Sequence, residues 1–103
     1  MPLETRGQNL RVSEALRTYV ERRIQFALAR FGARIERVTV RLTDVNGPRG
    51  GVDKQCRIAV LLAGSNRVLV EDEDADLNVA IDRASDRAGP SAARQLERAR
   101  TVG

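Results

Sequence analysis

Seventeen arginines and a single lysine, Lys54, stand against fourteen carboxylates in a chain of 103 residues. Their spacing says more than their number. With Leu77 set at zero on a helix turning about 100° per residue, Arg83, Arg87, Arg94 and Arg98 fall at roughly 240°, 280°, 260° and 300°. Asp82, Asp86 and Glu97 fall at roughly 140° to 200°, clear of that stripe. A solvated helical face ordinarily mixes signs through i,i+4 pairs, whereas this one separates them. The arrangement repeats around Leu16: Arg22, Arg23 and Arg30 lie at roughly 240° to 340°, beside Tyr19, while Glu14 and Glu21 lie at roughly 140° to 160°. Guanidinium forks bind phosphate through paired hydrogen bonds and stack on bases, so such stripes suit a polyanion. The bland alternative is a solvated surface in a chain whose arginine bias follows base composition. Tyr19 likewise suits either a base or the rim of the core.

Other chemistry finds little support. The chain has no His, which removes the usual general base near neutral pH and every Ser-His or Cys-His mechanism. Cys56 is the one cysteine. It sits in a strand-like apolar run, Gln55-Cys-Arg-Ile-Ala-Val-Leu-Leu62, where a small buried hydrophobe is expected rather than a nucleophile. Asp72, Asp74 and Asp76 imitate the start of a calcium loop, but Leu77 holds the glycine position and Arg83 the terminal glutamate position. Gly47 to Lys54 fails as a phosphate loop, with the wrong glycine spacing and Gln55 where Ser or Thr is needed. No metal, cofactor or catalytic residue is therefore expected, and the chain reads as a non-enzyme.

The elements that would position the arginines follow from periodicity. A short strand is expected at Leu3 to Arg6, ended by Gly7. Ser13 is a good N-cap, and Leu16, Tyr19, Val20, Ile24, Ala27, Leu28 and Phe31 then recur at helical steps, with Gly32 closing the helix. Residues 35–45 alternate, Val38, Val40 and Leu42 pointing one way and Thr39, Arg41 and Thr43 the other. Asn46 to Gly51 is a turn-rich loop. Cys56, Ile58, Val60 and Leu62 form a second inward row opposite Arg57, Ala59 and Leu61. Gly64-Ser-Asn66 makes a hairpin connection, and Val68 and Val70 lead into the acidic run Glu71-Asp-Glu-Asp-Ala-Asp76. Leu77, Ala80, Ile81, Ala84, Ala88, Ala92, Leu96 and Ala99 restore helical spacing.

The order is β-α-β-β-β-α. A long helix between the first two strands favours a parallel, right-handed crossover, and the short later connections favour antiparallel pairs. The expected α+β fold is a four-stranded sheet with two helices packed on one face, as a single domain over residues 1–103. Gly89-Pro90 conflicts with a continuous last helix, because an interior proline costs about 3 kcal/mol. The helix either kinks there or restarts with Pro90 in its first turn. Net charge is +4, but residues 1–70 carry +7, residues 71–76 carry −5 and residues 77–103 carry +2. No apolar run approaches the roughly 20 residues that span a bilayer, and no signal segment opens the chain, so a cytoplasmic protein without a membrane partner is expected.

Three stretches together resemble a known family. Gly7-Gln-Asn-Leu-Arg-Val-Ser-Glu-Ala-Leu-Arg-Thr-Tyr-Val-Glu-Arg-Arg23 is similar to the opening of the ribosome hibernation promoting factor / ribosome-associated inhibitor A family. Asp76-Leu-Asn-Val-Ala-Ile-Asp-Arg-Ala-Ser-Asp-Arg87 resembles the start of that family's last helix, and Arg94-Gln-Leu-Glu-Arg98 its end. The resemblance implies the same β-α-β-β-β-α fold. It also implies a stress-response translation inhibitor whose partner is the small ribosomal subunit and its rRNA near the decoding region, where it excludes messenger and transfer RNA. Arg22 and Arg23 match basic positions of the family's first helix, and Arg83, Arg87, Arg94 and Arg98 those of its second. The chain departs from the family at Asn78, at Gly89-Pro90 and in its lack of lysine. The second domain of longer members is missing, so the resemblance is to a short form, with a separate factor for any ribosome dimer. Two other classes fit the residues: a general double-stranded RNA-binding module, and a protein-interaction modulator using the acidic run as its interface.

Overall fold

The structure, a computed structural model, describes residues 1–45 and 53–102. The described elements are β1 (Leu3–Gln8), α1 (Glu14–Leu28), a 3-10 segment (Ala29–Arg34), β2 (Ile35–Asp44), β3 (Lys54–Leu62), a 3-10 turn (Ala63–Ser65), β4 (Arg67–Asp74) and α2 (Leu77–Val102). The order is β-α-β-β-β-α and the class α+β, as periodicity predicts. The strands lie in sequence order, β1-β2-β3-β4. β1 runs parallel to β2, and β2–β3 and β3–β4 are antiparallel. The parallel pair needs a crossover long enough to return the chain, which α1 supplies. The turn-rich stretch 46–51, and with it most of the glycine-lysine spacing, lies outside the described residues.

Alternation sorts each strand between two environments. Val38, Val40 and Leu42 of β2, Cys56, Ile58, Val60 and Leu62 of β3, and Val68 of β4 are buried under the helices. Val20, Ile24 and Leu28 of α1 and Ala80, Ile81, Ala84, Ala88 and Ala92 of α2 close the same core. Each fully buried Leu, Ile or Val contributes about 1.5–3 kcal/mol, so this aliphatic layer stabilises the fold almost without aromatic rings. No described helix covers the opposite side of the sheet, where Arg37, Arg41, Arg57, Ala59, Arg67 and Leu69 are exposed.

Local signals explain the helix boundaries. The Ser13 hydroxyl accepts from the Leu16 amide at 3.1 Å and starts α1. The α-helix stops at Leu28, earlier than the apolar spacing predicts. The chain then tightens into the 3-10 segment, which buries Phe31 and turns at Gly32 with φ 55°. That left-handed conformation costs glycine nothing and swings the chain into β2. Asp76 caps α2, its carboxylate accepting from the Asn78 amide at 2.9 Å.

Gly89-Pro90 neither splits nor ends α2, which is one helix from Leu77 to Val102. Gly89 sits where α1 crosses: a Cβ there would lie 2.9 Å from the Ala27 carbonyl oxygen. The glycine therefore permits close approach of the two helices. Pro90 is exposed, on the side where water can serve the carbonyl that loses its donor.

Candidate nucleic-acid interface

The acidic run forms the end of β4 and leads to the start of α2. Residues 71–74 belong to β4 and stay paired with β3 as far as Lys54↔Asp74. Alternation then divides the run between the two sides of the sheet. Asp72 and Asp74 turn toward α2, while Glu71 and Glu73 turn to the open side. Arg83 Nη2 lies 3.1 Å from Asp72 Oδ1 and 2.9 Å from Asp74 Oδ1, and it donates to the Glu73 carbonyl at 3.0 Å. Arg87 lies 3.3 Å from Asp72 Oδ2 and donates to the Glu71 carbonyl. The first two arginines of the α2 stripe are thus held by the neighbouring strand.

A second set of pairs fills the seam between the helices. Arg23 reaches Asp82 Oδ1 at 3.1 Å and Asp86 Oδ1 at 2.8 Å. The Tyr19 hydroxyl donates to the same Asp82 carboxylate. That bond, then burial, raises the phenol above its ordinary range. Tyr19 is therefore a seam residue at the rim of the core rather than a ring free to stack. Asp82 and Asp86 avoid the arginines of their own helix, as the spacing predicts, but meet one from the other helix.

The remaining predicted positions point elsewhere. Arg22 is exposed and shares a shallow depression with Thr18, Glu21, Gln25 and Phe26. Arg30 folds over the Phe31 ring, its guanidinium carbon 4.8 Å from the ring centroid. Arg94 donates to the Ser91 hydroxyl at 3.2 Å and lines a depression with Glu71, Arg87 and Pro90. Arg98 is exposed. Arg83, Arg87 and Arg94 therefore collect on the β4 side of α2, Arg23 in the seam, and Arg22 on the outer side of α1. The seven do not merge into one uninterrupted cationic plate. The physical reason is that charge segregation within a helix leaves its partners in other elements unspecified. Exposed pairs of this kind contribute about 0–1 kcal/mol each, so a phosphate can compete for the same guanidinium groups.

Two features escape helical spacing. Phe26 is 84% exposed, between the Arg22 and Arg30 positions one turn away on either side. Its signal in the sequence is its place off the apolar stripe of α1. The second is the arginine population on the open side of the sheet, which strand alternation marks but helix spacing does not. Cys56 is fully buried, and burial, followed by the charge of Asp72, pushes its thiol up to about 12. Among the described residues, no group of three or more His, Cys, Asp or Glu could hold a metal ion. No described helix is long and apolar enough to cross a membrane.

A family profile described as sigma 54 modulation protein / S30EA ribosomal protein matches residues 3–101. The crystal structure of the Thermus thermophilus Protein Y N-terminal domain is 35% identical, with a TM-score of 0.76 over 91% of this chain and 98% of that one. A ribosomal subunit interface protein from Coxiella burnetii superposes with a TM-score of 0.78, covering 91% of this chain and 96% of that one. Its identity is 18%, so it speaks to the fold alone. No curated protein sequence matches the chain significantly.

Proposed function

We propose, from the premise that this chain belongs to the sigma 54 modulation protein / S30EA ribosomal protein family, that it is a ribosome-associated hibernation factor. It acts in the cytoplasm by binding rather than by catalysis. Its finer target is the rRNA of the small subunit near the decoding region. There the folded domain occupies the space that messenger and transfer RNA need. The observation that carries this reading is the family match across residues 3–101, nearly the whole chain.

The helical arginines supply the attraction. Arg22, Arg30, Arg94 and Arg98 hold no carboxylate in the described structure, and Phe26 offers an exposed ring beside Arg22. Arg23, Arg83 and Arg87 join the contact by exchanging a carboxylate for a phosphate. Each phosphate neutralised releases counterions, so binding weakens steeply with salt.

Co-sedimentation with small subunits at low and high salt tests the reading. The double variant Arg22→Glu/Arg98→Glu should lose about tenfold or more in binding at low salt, with an unchanged melting temperature. Binding equal to that of the parent protein overturns the helical assignment. Reversing Arg83 and Arg87 is a poorer test, because two new carboxylates would face Asp72 and Asp74. Competing duplex RNA separates this reading from a general double-stranded RNA module, which free duplex would titrate away. Salt-insensitive association with a protein would instead favour the modulator reading.

A further inference from the structure

One concavity of the molecule lies away from the helices. It lies on the open side of the sheet, has a volume of about 550 Å³, and is lined by Arg37, Arg41, Arg57, Leu61, Arg67 and Leu69 among others. Strand register lays out the charges. Arg6, Arg41 and Arg57 are consecutive partners across β1, β2 and β3. Strands lie about 4.8 Å apart, so these three form a row about 10 Å long. Arg37 and Arg67 flank Leu61 in a second row, four residues from the first along β2 and so about 13 Å away. Between the rows lie Thr39, Ala59 and Leu69, a low floor without a ring or a carboxylate on β2, β3 and β4.

The two sides of the sheet differ in what surrounds their arginines. The side chains of Arg41, Arg57 and Arg67 make no ion pair or hydrogen bond among the described residues. Arg6 is held by Glu4 at 2.8 Å. Arg37 lies near enough to Glu4 to help lower its pKa. Glu71 and Glu73 stand at one corner, where the Gln55 amide donates to both, at 3.3 and 3.1 Å. Register places Glu71 opposite Arg57, yet no ion pair between them forms.

We propose that this open face is a second RNA-binding surface and that its occupant is an unpaired strand. Guanidinium groups in two rows, of which Arg41, Arg57 and Arg67 hold no carboxylate among the described residues, complement a phosphate backbone, and they donate in the paired geometry that phosphate accepts. The low floor between them admits riboses and bases close to the sheet. With no aromatic ring on this face, stacking falls to the guanidinium planes. An open concavity crossed by two rows of charge suits a flexible single strand, which can bend into it, better than a rigid duplex. The helical side and the sheet side would then hold two RNA segments at once. This rests on the reading of the chain as an RNA-binding ribosome factor, and adds a surface to it.

The test uses the full chain and a fluorescent oligouridylate of about 12 nucleotides, within the span that single-strand sites cover. Arg41→Glu/Arg57→Glu should bind it about tenfold or more weakly. The plot of log affinity against log salt should flatten by about 1.4, two contacts at roughly 0.7 each. Its melting temperature should stay that of the parent, and Arg22→Glu/Arg98→Glu should keep most of the oligouridylate affinity. The proposal is overturned by an unaltered sheet variant, by a duplex of equal length competing better than the single strand, or by polyglutamate competing as well as RNA. Small-subunit sedimentation of both variants separates the two claims. If only the helical variant fails to sediment and the sheet variant still binds oligouridylate, the functional reading stands and the second surface falls. If the sheet variant loses oligouridylate while neither variant changes sedimentation, the second surface stands and the helical assignment falls.

Discussion

On the helix-covered side of the sheet, arginines meet carboxylates; on the open side, several of them meet water. Arg23, Arg83 and Arg87 close onto Asp82, Asp86, Asp72 and Asp74. Arg41, Arg57 and Arg67 close onto nothing among the described residues. The same residue type thus tightens the structure in one place and is left available in the other. A charge count per element does not separate the two, since β4 contributes acids to both sides. What separates them is which elements stack. On the covered side α2 brings Asp82 and Asp86 to Arg23 and its own arginines to Asp72 and Asp74 of β4, and no described helix comes over the open one.

The sharpest break of this contrast lies in adjacent residues of β2. Leu42 is fully buried, and its neighbour Arg41 faces water. Leu42→Ala should cost about 2–5 kcal/mol in urea unfolding, and Arg41→Ala should stay within about 0.5 kcal/mol. A comparable loss from both would mean that the open side is structural.

The next effect appears with pH. The folded Cys56 thiol titrates at about 12 against an ordinary 9.0. A thiol whose folded value is raised stabilises fully below the unfolded value, and that contribution is lost as pH rises between the two. Unfolding free energy should therefore fall above about pH 9, by at most about 4 kcal/mol at 1.36 kcal/mol per unit. Tyr19 and Lys54, both raised, act in the same direction. Cys56→Val should make the alkaline slope shallower, and a slope identical to that of the parent would show that the thiol is not shielded.

The smallest effect tests the seam. Gly→Ala inside an ordinary helix gains about 0.5–1 kcal/mol. At Gly89 the new Cβ would press on the Ala27 carbonyl, so Gly89→Ala should instead cost about 1–3 kcal/mol in thermal unfolding. A stabilised variant would show that the helices are free to separate there.

Some of this was legible in the residues and some was not. Steps of three and four from Leu16 to Phe31 and from Leu77 to Ala99 predict both helices, and alternation from Val38 and from Cys56 predicts the strands. The end of α1 lies earlier than spacing predicts, because Gly32 shapes a 3-10 turn before the chain enters β2. The acidic run shows no apolar alternation, yet it ends β4, the strand that Val68 and Val70 begin. Pairing with β3 holds it in the sheet regardless of composition. The arginine stripes are real within each helix, but their partners lie elsewhere in the chain: Arg23 with Asp82 and Asp86, and Arg83 with Asp72 and Asp74.

Taken alone, the order of residues determined the elements, their succession, and the side of each element that seeks the core. Those follow from periodicity, which acts within one helix or one strand. Tertiary structure alone decided which charges are spent on each other and which remain for a partner. Ion pairs reach only a few ångströms, and those that α2 makes with β4 and α1 join residues 9 to 63 positions apart. Only the stacking of helices on one side of a registered sheet brings such residues within reach.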